Sequence, residues 1–224
     1  CNIQMVQVAT DVITSEFTGR PSPVADLHER TFSHFGVKEA VFPFNMFPEV
    51  DPVLGPEMRS TGEVLGLAST VGEAFLKAQE ATQTAIPSEG TVLMSVSDRD
   101  KDEAAKVAQA FVDAGFAVVA TKGTCELLNE AGIKAEHINK LGEGRPNILD
   151  ALANGEIAIV VNTPASSTES HEDDSYIRKS AIKNHVPYMT TLAAAYVTAM
   201  GVKESKENEG SGVRSLQEIH ATIQ

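Results

Sequence analysis

Between Thr91 and Met200 the sequence alternates short apolar runs with segments of helical periodicity, and glycine or proline separates many of them. The strand candidates are Thr91–Val96, Phe116–Ala120, Glu136–Ile138, Ile157–Val161 and Val186–Met189; the helix candidates are Lys101–Ala114, Cys125–Ala131, Asn147–Asn154, Ser175–Asn184 and Leu192–Met200. When a helix connects two consecutive strands, it returns the chain to the edge of the sheet at which the first strand began, so the two strands run parallel. The pattern therefore predicts an α/β fold, a Rossmann-like parallel sheet flanked by helices.

The first eighty residues have a different character. Ile3–Ile13 has the apolar spacing of a helix, Lys38–Phe44 and Ser60–Leu67 are strand candidates, and Thr70 begins a capping box for a further helix. This part is too short to bury a core of its own. We interpret it as the incomplete α+β tail of a preceding domain, joined to the rest by the polar linker Ala81–Gly90.

The net charge limits the possible partners. The chain has 18 lysine and arginine residues and 31 aspartate and glutamate residues, so its formal net charge is −13 at pH 7. A chain this acidic repels phosphate backbones and anionic lipid surfaces, which argues against nucleic-acid and membrane binding. Two cysteines cannot form a disulfide framework, and the composition suits the cytoplasm. Because the chain opens at Cys1 without a methionine, we expect it to be a piece of a larger protein.

Histidine and cysteine offer little chemistry here. The six histidines have no metal-ligand spacing, so no metal site is predicted. Cys125 stands at a predicted helix start, where a thiol can become reactive. Because no histidine lies near it in the sequence, a small buried residue is the better interpretation.

Four polar loops follow four of the predicted strands, at the edge where open α/β sheets bind ligands. They are Ser95–Lys101, Thr121–Thr124, Asn139–Asn147 and Asn162–Pro164. A fifth segment, Ala165–Asp174, is acidic and rich in serine; its charge run is interpreted as solvated surface. Near the end, Val202–Val213 is predicted as a charged loop before a last helix over Ser215–Ile223.

The loop Thr121–Thr124 is the most informative. Two threonines flank a glycine, and the following helix offers unpaired backbone N–H groups and the positive end of its dipole. Lys101 and Lys140, at neighbouring strand ends, would supply positive charge. The combination suits a phosphate group, but ordinary capping by threonine explains the same residues, and both interpretations stay open.

Longer strings carry a family resemblance. They are Val37–Phe44, Asp51–Glu63, Ser95–Val96, Asp100–Lys101, Thr121–Thr124, Asn139–Lys140, Glu143–Pro146, Asn162–Pro164 and Pro187–Leu192. In these strings the chain resembles the large subunit of carbamoyl-phosphate synthetase, over nearly its whole length. The resemblance implies that residues 1–83 are the C-terminal end of an ATP-grasp domain and that residues 84–224 are a methylglyoxal-synthase-like allosteric domain.

The family makes carbamoyl phosphate from bicarbonate, glutamine-derived ammonia and two ATP, with Mg or Mn, for pyrimidine and arginine synthesis. Its catalytic residues, ATP and metal would lie upstream of this chain. The resemblance therefore implies a regulatory piece without catalytic residues, metal or cofactor of its own. Its partners would be the remainder of the large subunit and the glutaminase small subunit.

Two effector sites follow from the resemblance. The first binds UMP as inhibitor and IMP as activator, and its matching residues are Ser95, Lys101, Thr121, Lys122, Gly123, Thr124, Asn139, Lys140, Asn162 and Thr163. The second is part of an ornithine site, matched by Glu39, Leu54, Tyr188 and Thr190. Lys122, Pro164 and the acidic segment Ala165–Asp174 depart from some members, which leaves the choice of nucleotide open.

Two alternatives belong to other classes of protein. An enzyme similar to methylglyoxal synthase would eliminate phosphate from a triose phosphate and needs a carboxylate base beside the phosphate. The places of the similar enzymes' aspartates hold Gly144-Arg145 and Thr163-Pro164, and arginine cannot act as that base. We therefore expect binding without turnover. A purely structural or interaction module is favoured only if no phosphate ligand binds.

Overall fold

The computed structural model describes residues 3–27, 32–41, 62–82, 84–164, 168–207 and 214–222. The chain divides into two compact units. The smaller unit consists of Cys1–Phe35 and Gly212–Gln224, and the larger unit is Gly36–Ser211. The helices are α1 Met5–Thr18, α2 Val71–Ala81, α3 Lys101–Asp113, α4 Lys122–Glu130, α5 Ile148–Ala153, α6 Thr168–Lys183, α7 Leu192–Glu207 and α8 Leu216–His220. The strands are β1 Phe35–Ala40, β2 Glu63–Ala68, β3 Thr91–Ser95, β4 Ala117–Ala120, β5 Glu136–His137, β6 Ile159–Asn162 and β7 Tyr188–Met189. The family boundary at residues 83 and 84 stays a prediction.

The smaller unit holds the two terminal helices. The helix α1 ends where Gly19 adopts the left-handed conformation, at φ 65°. The helix α8 begins with a capping box, in which the side chains of Ser215 and Glu218 each accept a hydrogen bond from the backbone N–H of the other. No helix in the described ranges is long and apolar enough to cross a membrane.

The larger unit is built on a five-stranded sheet in the order β5-β4-β3-β6-β7. All of its strand pairs are parallel. The predicted α/β class is therefore confirmed, as a parallel sheet flanked by helices. The central strand β3 pairs with β4 on one side and with β6 on the other.

Helices cover both faces of this sheet. Val92 and Met94 pack into an apolar layer with α3, α4 and α7, while Leu93 between them packs into a layer with α5 and α6. All three side chains are completely buried. Successive side chains of a strand point to opposite faces, so an unbroken apolar run is what a strand buried on both faces needs.

Before this sheet comes a two-stranded sheet of β1 and β2, followed by α2. Thr70 is the N-cap of α2, as half of the predicted capping box requires: its hydroxyl oxygen accepts a hydrogen bond from the backbone N–H of Glu73, at 3.2 Å. The same hydroxyl donates to the carboxylate of Glu204 on α7, at 2.6 Å. This contact fixes the start of α2 to α7.

Three helices are longer than the sequence predicted. The helix α4 begins three residues early, at Lys122, and α6 begins at Thr168, so most of the predicted acidic loop is helical. The helix α7 continues to Glu207, so the loop predicted from Val202 is wrong over its first six residues. Val202 is buried there. The added turns are mostly polar, and periodicity detects only apolar stripes. Residues 165–167 and 208–213 lie outside the described ranges.

The end of α7 also closes α3. The ammonium of Lys206 donates to the carbonyl oxygen of Ala114 at 2.6 Å, at the C-terminus of α3. A cation suits that position, because the last carbonyls of a helix lack intrahelical partners and carry the negative end of the dipole. The charged residues after Val202 therefore extend the helix and take part in its packing.

The helices α2 and α7 meet at two glycines. A Cβ built on Gly201 would lie 2.5 Å from the carbonyl oxygen of Gly72, and one built on Gly72 would lie 2.8 Å from the Cα of Gly201. Real Cβ atoms do not come so close to a backbone, so both positions need glycine for this helix crossing.

We expect Gly201→Ala to destabilise the chain. Overpacking costs about 1–3 kcal/mol, and because the added Cβ meets backbone atoms we expect the upper half of that range, about 2–3 kcal/mol. The helix propensity of alanine returns about 1 kcal/mol, so the net loss should be about 1–2 kcal/mol. Urea unfolding measures it. Gly142→Ala is the control, because a Cβ there meets nothing within 4 Å. A Gly201→Ala chain as stable as the wild type would contradict the close crossing.

Candidate functional site

Three strand ends lie side by side at the carboxyl edge of the sheet. Ser95, the last residue of β3, is in register with Asn162, the last residue of β6. On the other side, the N–H of Thr121 donates to the carbonyl oxygen of Met94, at 3.2 Å. The parallel register therefore brings together loops that are far apart in sequence, as predicted for ligand binding at this edge.

The helix α4 begins directly after β4, and no described residue accepts a hydrogen bond from the N–H groups of its first turn. Thr121 is the N-cap residue, but its side chain makes no capping hydrogen bond. The first turn consists of Lys122, Gly123 and Thr124, whose N–H groups have no partner within an α-helix. Ordinary capping by Thr121 is thus not what the structure shows, and the positive end of the helix dipole is available.

The hydroxyl of Thr124 joins two of the loops. Its oxygen accepts a hydrogen bond from the N–H of Val96 at 3.2 Å, and Thr124 is only 2% exposed. This bond fixes the loop after β3 against the first turn of α4. The hydroxyl proton of Thr124 can still be donated.

Lys101 brings a positive charge to the same point. Its ammonium lies 3.5 Å from the position that a Cβ on Gly123 would occupy. The ammonium of the first residue of α3 therefore stands over the first turn of α4. We call Lys101 together with the backbone N–H groups of Lys122, Gly123 and Thr124 the anion cradle.

A carboxylate stands beside the anion cradle. The ammonium of Lys101 forms an ion pair with Asp98 at 2.6 Å. The hydrogen bond and the charge of Lys101 hold the pKa of Asp98 below its ordinary value, and the charge of Lys140 lowers it further. Both predicted lysines therefore act on the same small region.

The other end of the site, beyond β6, is polar and buried. The Nδ2 group of Asn162 donates to Asp174 at 2.9 Å and to the hydroxyl of Tyr188 at 2.8 Å. The remaining oxygens, Oδ1 of Asn162 and Oδ2 of Asp174, are buried and accept no hydrogen bond from any described residue. Buried acceptors of this kind are costly, so they favour a ligand or water that donates.

These acceptors belong to residues that line a small cavity of about 50 Å³. Its lining includes Ser95, Ser97, Lys140, Asn162, Thr163, Asp173 and Asp174. One side of the cavity is therefore acidic, while Lys140 contributes the basic side.

A compact network supports the floor of the cavity. The hydroxyl oxygen of Thr163 accepts from the N–H of Ser97 at 2.8 Å, and the hydroxyl of Ser97 donates to Asp100 at 2.7 Å. The hydrogen bond from Ser97 lowers the pKa of Asp100 despite partial desolvation. The loops after β3 and β6 are thus held together by side chains.

Most residues of the predicted nucleotide site meet at this edge, as the preceding contacts show. Asn139 is the one with another role, since its amide donates to the carbonyl of Pro146 at 3.1 Å and closes its own loop. Sequence reasoning missed two carboxylates at the site. Asp98 could have been found three residues before Lys101, whereas the interpretation of Asp174 as solvated surface is wrong, because it bonds to buried Asn162.

The residues of the predicted ornithine site are not joined to one another by hydrogen bonds or ion pairs in the described part of the chain. Burial raises the pKa of Glu39, which is half-buried in β1, and Thr190 is exposed. In the described ranges no hydrogen bond or ion pair joins Glu39 to Tyr188 or Thr190, and Leu54 lies outside those ranges. The hydrogen bond from Asn162 instead places Tyr188 beside a residue of the predicted nucleotide site. The ornithine site stays a prediction.

Cys125 is a buried structural residue. It is 8% exposed, and its thiol lies 3.4 Å from the carbonyl oxygen of Ala135. The interpretation as a small buried side chain is confirmed. The part of the chain that the structure describes contains no cluster of three or more histidine, cysteine, aspartate or glutamate residues that could hold a metal ion.

The comparison with protein families defines the class of protein. Residues 103–190 match the family model described as MGS-like domain, so the chain contains a methylglyoxal-synthase-like α/β domain. The crystal structure of methylglyoxal synthase from Elizabethkingia anophelis NUHP1 aligns with a TM-score of 0.40 and 19% identity. That alignment covers 58% of this chain and 89% of that one.

The curated relatives are more specific. The chain is 45% identical over 190 residues to the carbamoyl phosphate synthase large chain, C-terminal section, of Aquifex aeolicus (strain VF5), covering 83% of this chain and 35% of that protein. It is 48% identical over 189 residues to the carbamoyl phosphate synthase large chain of Pasteurella multocida (strain Pm70), covering 84% of this chain and 17% of that protein. The resemblance to this family is confirmed. The chain spans about a third or less of the length of these relatives.

The partly buried phenol of Tyr188 makes the free energy of unfolding depend on pH in a way that can be tested. Burial raises the pKa of its phenol, although Asn162 and Arg178 partly offset the shift. The folded chain then keeps a proton that the unfolded chain loses above about pH 10, so this stabilisation is lost as the pH rises through the folded pKa.

We expect the free energy of unfolding to fall less steeply above about pH 10 in Tyr188→Phe than in the wild type, because the phenol is gone. Urea unfolding from about pH 8 to about pH 11 measures the slope. Tyr176→Phe, at an exposed position, is the control and should keep the wild-type slope. Equal slopes in Tyr188→Phe and the wild type would rule out a raised pKa at Tyr188.

Proposed function

We propose that this chain is the regulatory C-terminal part of a carbamoyl phosphate synthase large chain and that it binds nucleoside monophosphates. One observation carries the proposal: the ammonium of Lys101 stands over the uncommitted first turn of α4 at Gly123. Backbone N–H groups, a helix dipole and a lysine together form a site suited to a phosphate.

The proposal extends to the parent enzyme. That enzyme would be a glutamine-dependent ligase of the cytoplasm, making carbamoyl phosphate with ATP, and this chain would adjust its rate. UMP as inhibitor and IMP as activator are the proposed effectors, with ornithine as a second activator. The remainder of the large chain and a glutaminase subunit are the proposed partners.

The two ends of the site suggest an orientation for the nucleotide. The phosphate would lie in the anion cradle, because Asp173 and Asp174 make the opposite side repulsive to an anion. The ribose would face Asn162 and Asp174, whose unpartnered oxygens can accept hydrogen bonds from its hydroxyls. With about 50 Å³, the cavity has room for the hydroxyl groups, and the base would lie outside it.

The competing interpretation is a phosphate-eliminating lyase. The carboxylate nearest to the anion cradle is Asp98, but its ion pair with Lys101 lowers its pKa, which makes it a weak base at neutral pH. Arg145 pairs with Asp150 at 2.9 Å and cannot accept a proton. These features favour binding without turnover.

We expect Lys101→Ala and Lys140→Ala each to weaken UMP or IMP binding about tenfold or more, since a charge-assisted hydrogen bond contributes about 1.5–3 kcal/mol. Calorimetric titration of the 224-residue chain with UMP, IMP and inorganic phosphate measures it. Lys134→Ala removes the same charge from the loop before β5 and should leave the affinity unchanged. Unchanged affinity in both Lys101→Ala and Lys140→Ala would show that the anion cradle is not the binding site. If neither nucleotide nor phosphate binds the chain, a structural or interaction module is the better interpretation.

We expect no release of phosphate from dihydroxyacetone phosphate above a protein-free control, because the site lacks an effective base. A coupled phosphate assay measures it. Release that persists through repurification and disappears in Asp98→Asn would support the lyase and overturn the regulatory proposal.

A further inference from the structure

The anion cradle already contains an anion from its own chain. The carboxylate of Asp98 lies 2.6 Å from the ammonium of Lys101, and its side chain is 94% exposed. Lys101 is partly sheltered, with 31% of its side chain exposed. The lysine that stands over Gly123 therefore has an acidic partner at the open mouth of the cradle.

Asp98 is held less firmly than its acidic neighbour. In the described residues its side chain has Lys101 as its only hydrogen-bonding or ion-pairing partner. Asp100, two residues later, is bonded to the hydroxyl of Ser97 at 2.7 Å and to the guanidinium of Arg99 at 3.4 Å. Because Asp98 is almost fully exposed, water can replace Lys101 as its partner at little cost.

A ligand phosphate and Asp98 cannot use Lys101 equally at the same time. An ammonium has three donors, but two anions bound to the same ammonium repel each other at this distance. The charge of Lys140 also attracts the carboxylate of Asp98 and lowers its pKa. A phosphate that enters the cradle must therefore displace the carboxylate.

We propose that Asp98 is an internal competitor for the anion cradle: it pairs with Lys101 in the free chain and is displaced when a phosphate ligand binds. The inference rests on the proposed function and deepens it, because it names the contact that limits affinity. Anions that bind weakly to Lys101 would fail to displace Asp98. The cradle would then favour the doubly charged phosphate of a monoester over singly charged anions.

The test compares two variants that remove the same charge. Asp98→Asn removes the competitor, while Asp102→Asn removes an exposed carboxylate next to Lys101 that makes no ion pair with it. Calorimetric titrations with UMP and with inorganic phosphate are run on the 224-residue chain. We expect Asp98→Asn to bind about three- to tenfold more tightly than Asp102→Asn, as an exposed ion pair and nearby repulsion imply.

A second arm separates competition from a general change in charge. In a Lys101→Ala background Asp98 has no lysine to occupy, so the gain from Asp98→Asn should shrink. An equal gain in both backgrounds would overturn the proposal. So would equal affinities for Asp98→Asn and Asp102→Asn, or weaker binding in Asp98→Asn, which would mean that Asp98 positions Lys101 for the ligand.

Failure of the inference and failure of the proposed function give different results. If the wild type binds UMP and Lys101→Ala weakens it, but Asp98→Asn matches Asp102→Asn, the site stands and the competitor is wrong. If neither the wild type nor Asp98→Asn binds UMP or phosphate, then the proposed function and the inference about Asp98 are both wrong.

Discussion

The structure depends on the parallel register of β3 between β4 and β6. Completely buried side chains on both faces of β3 hold the helices of the larger unit in place. The same register aligns the ends of the three strands, so that Ser95, Thr121 and Asn162 come to one edge. Core and candidate site thus result from a single constraint, since a shift of the register would separate the loops and expose the apolar faces.

Electrostatics at the site work against the charge of the whole chain. With a formal charge of −13, the chain repels anions at a distance. Salt at physiological strength screens such long-range forces over about 8 Å, whereas contacts within the anion cradle are screened much less. The net charge therefore does not argue against the proposed phosphate site at Lys101 and the first turn of α4, where the nearby carboxylate of Asp98 acts more strongly than distant ones.

How much could be predicted from sequence differs between the fold and the site. Alternating apolar and helical segments predicted the parallel sheet, because strand and helix periodicities differ and the strands β3, β4 and β6 are short and largely apolar. The first turns of α4 and α6 could not be found in that way, because Lys122 and Thr168 open helices whose first turns are polar. The partner of Asp174 was also hidden, since a charge run gives no sign of the buried amide that one of its members meets.

The sequence by itself determined the strand–helix order, the N-cap at Thr70 and the residue types available at each strand end, because these depend on local periodicity and on neighbours within a turn. It also carried the family resemblance. Only the tertiary structure decided which of these residues meet. The ion pair of Asp98 with Lys101 faces Gly123, more than twenty residues away, and the side chains of Asn162 and Asp174 meet only because the fold brings α6 to the end of β6. Such contacts depend on the register of the sheet and on burial, and neither is encoded by any single segment of the chain.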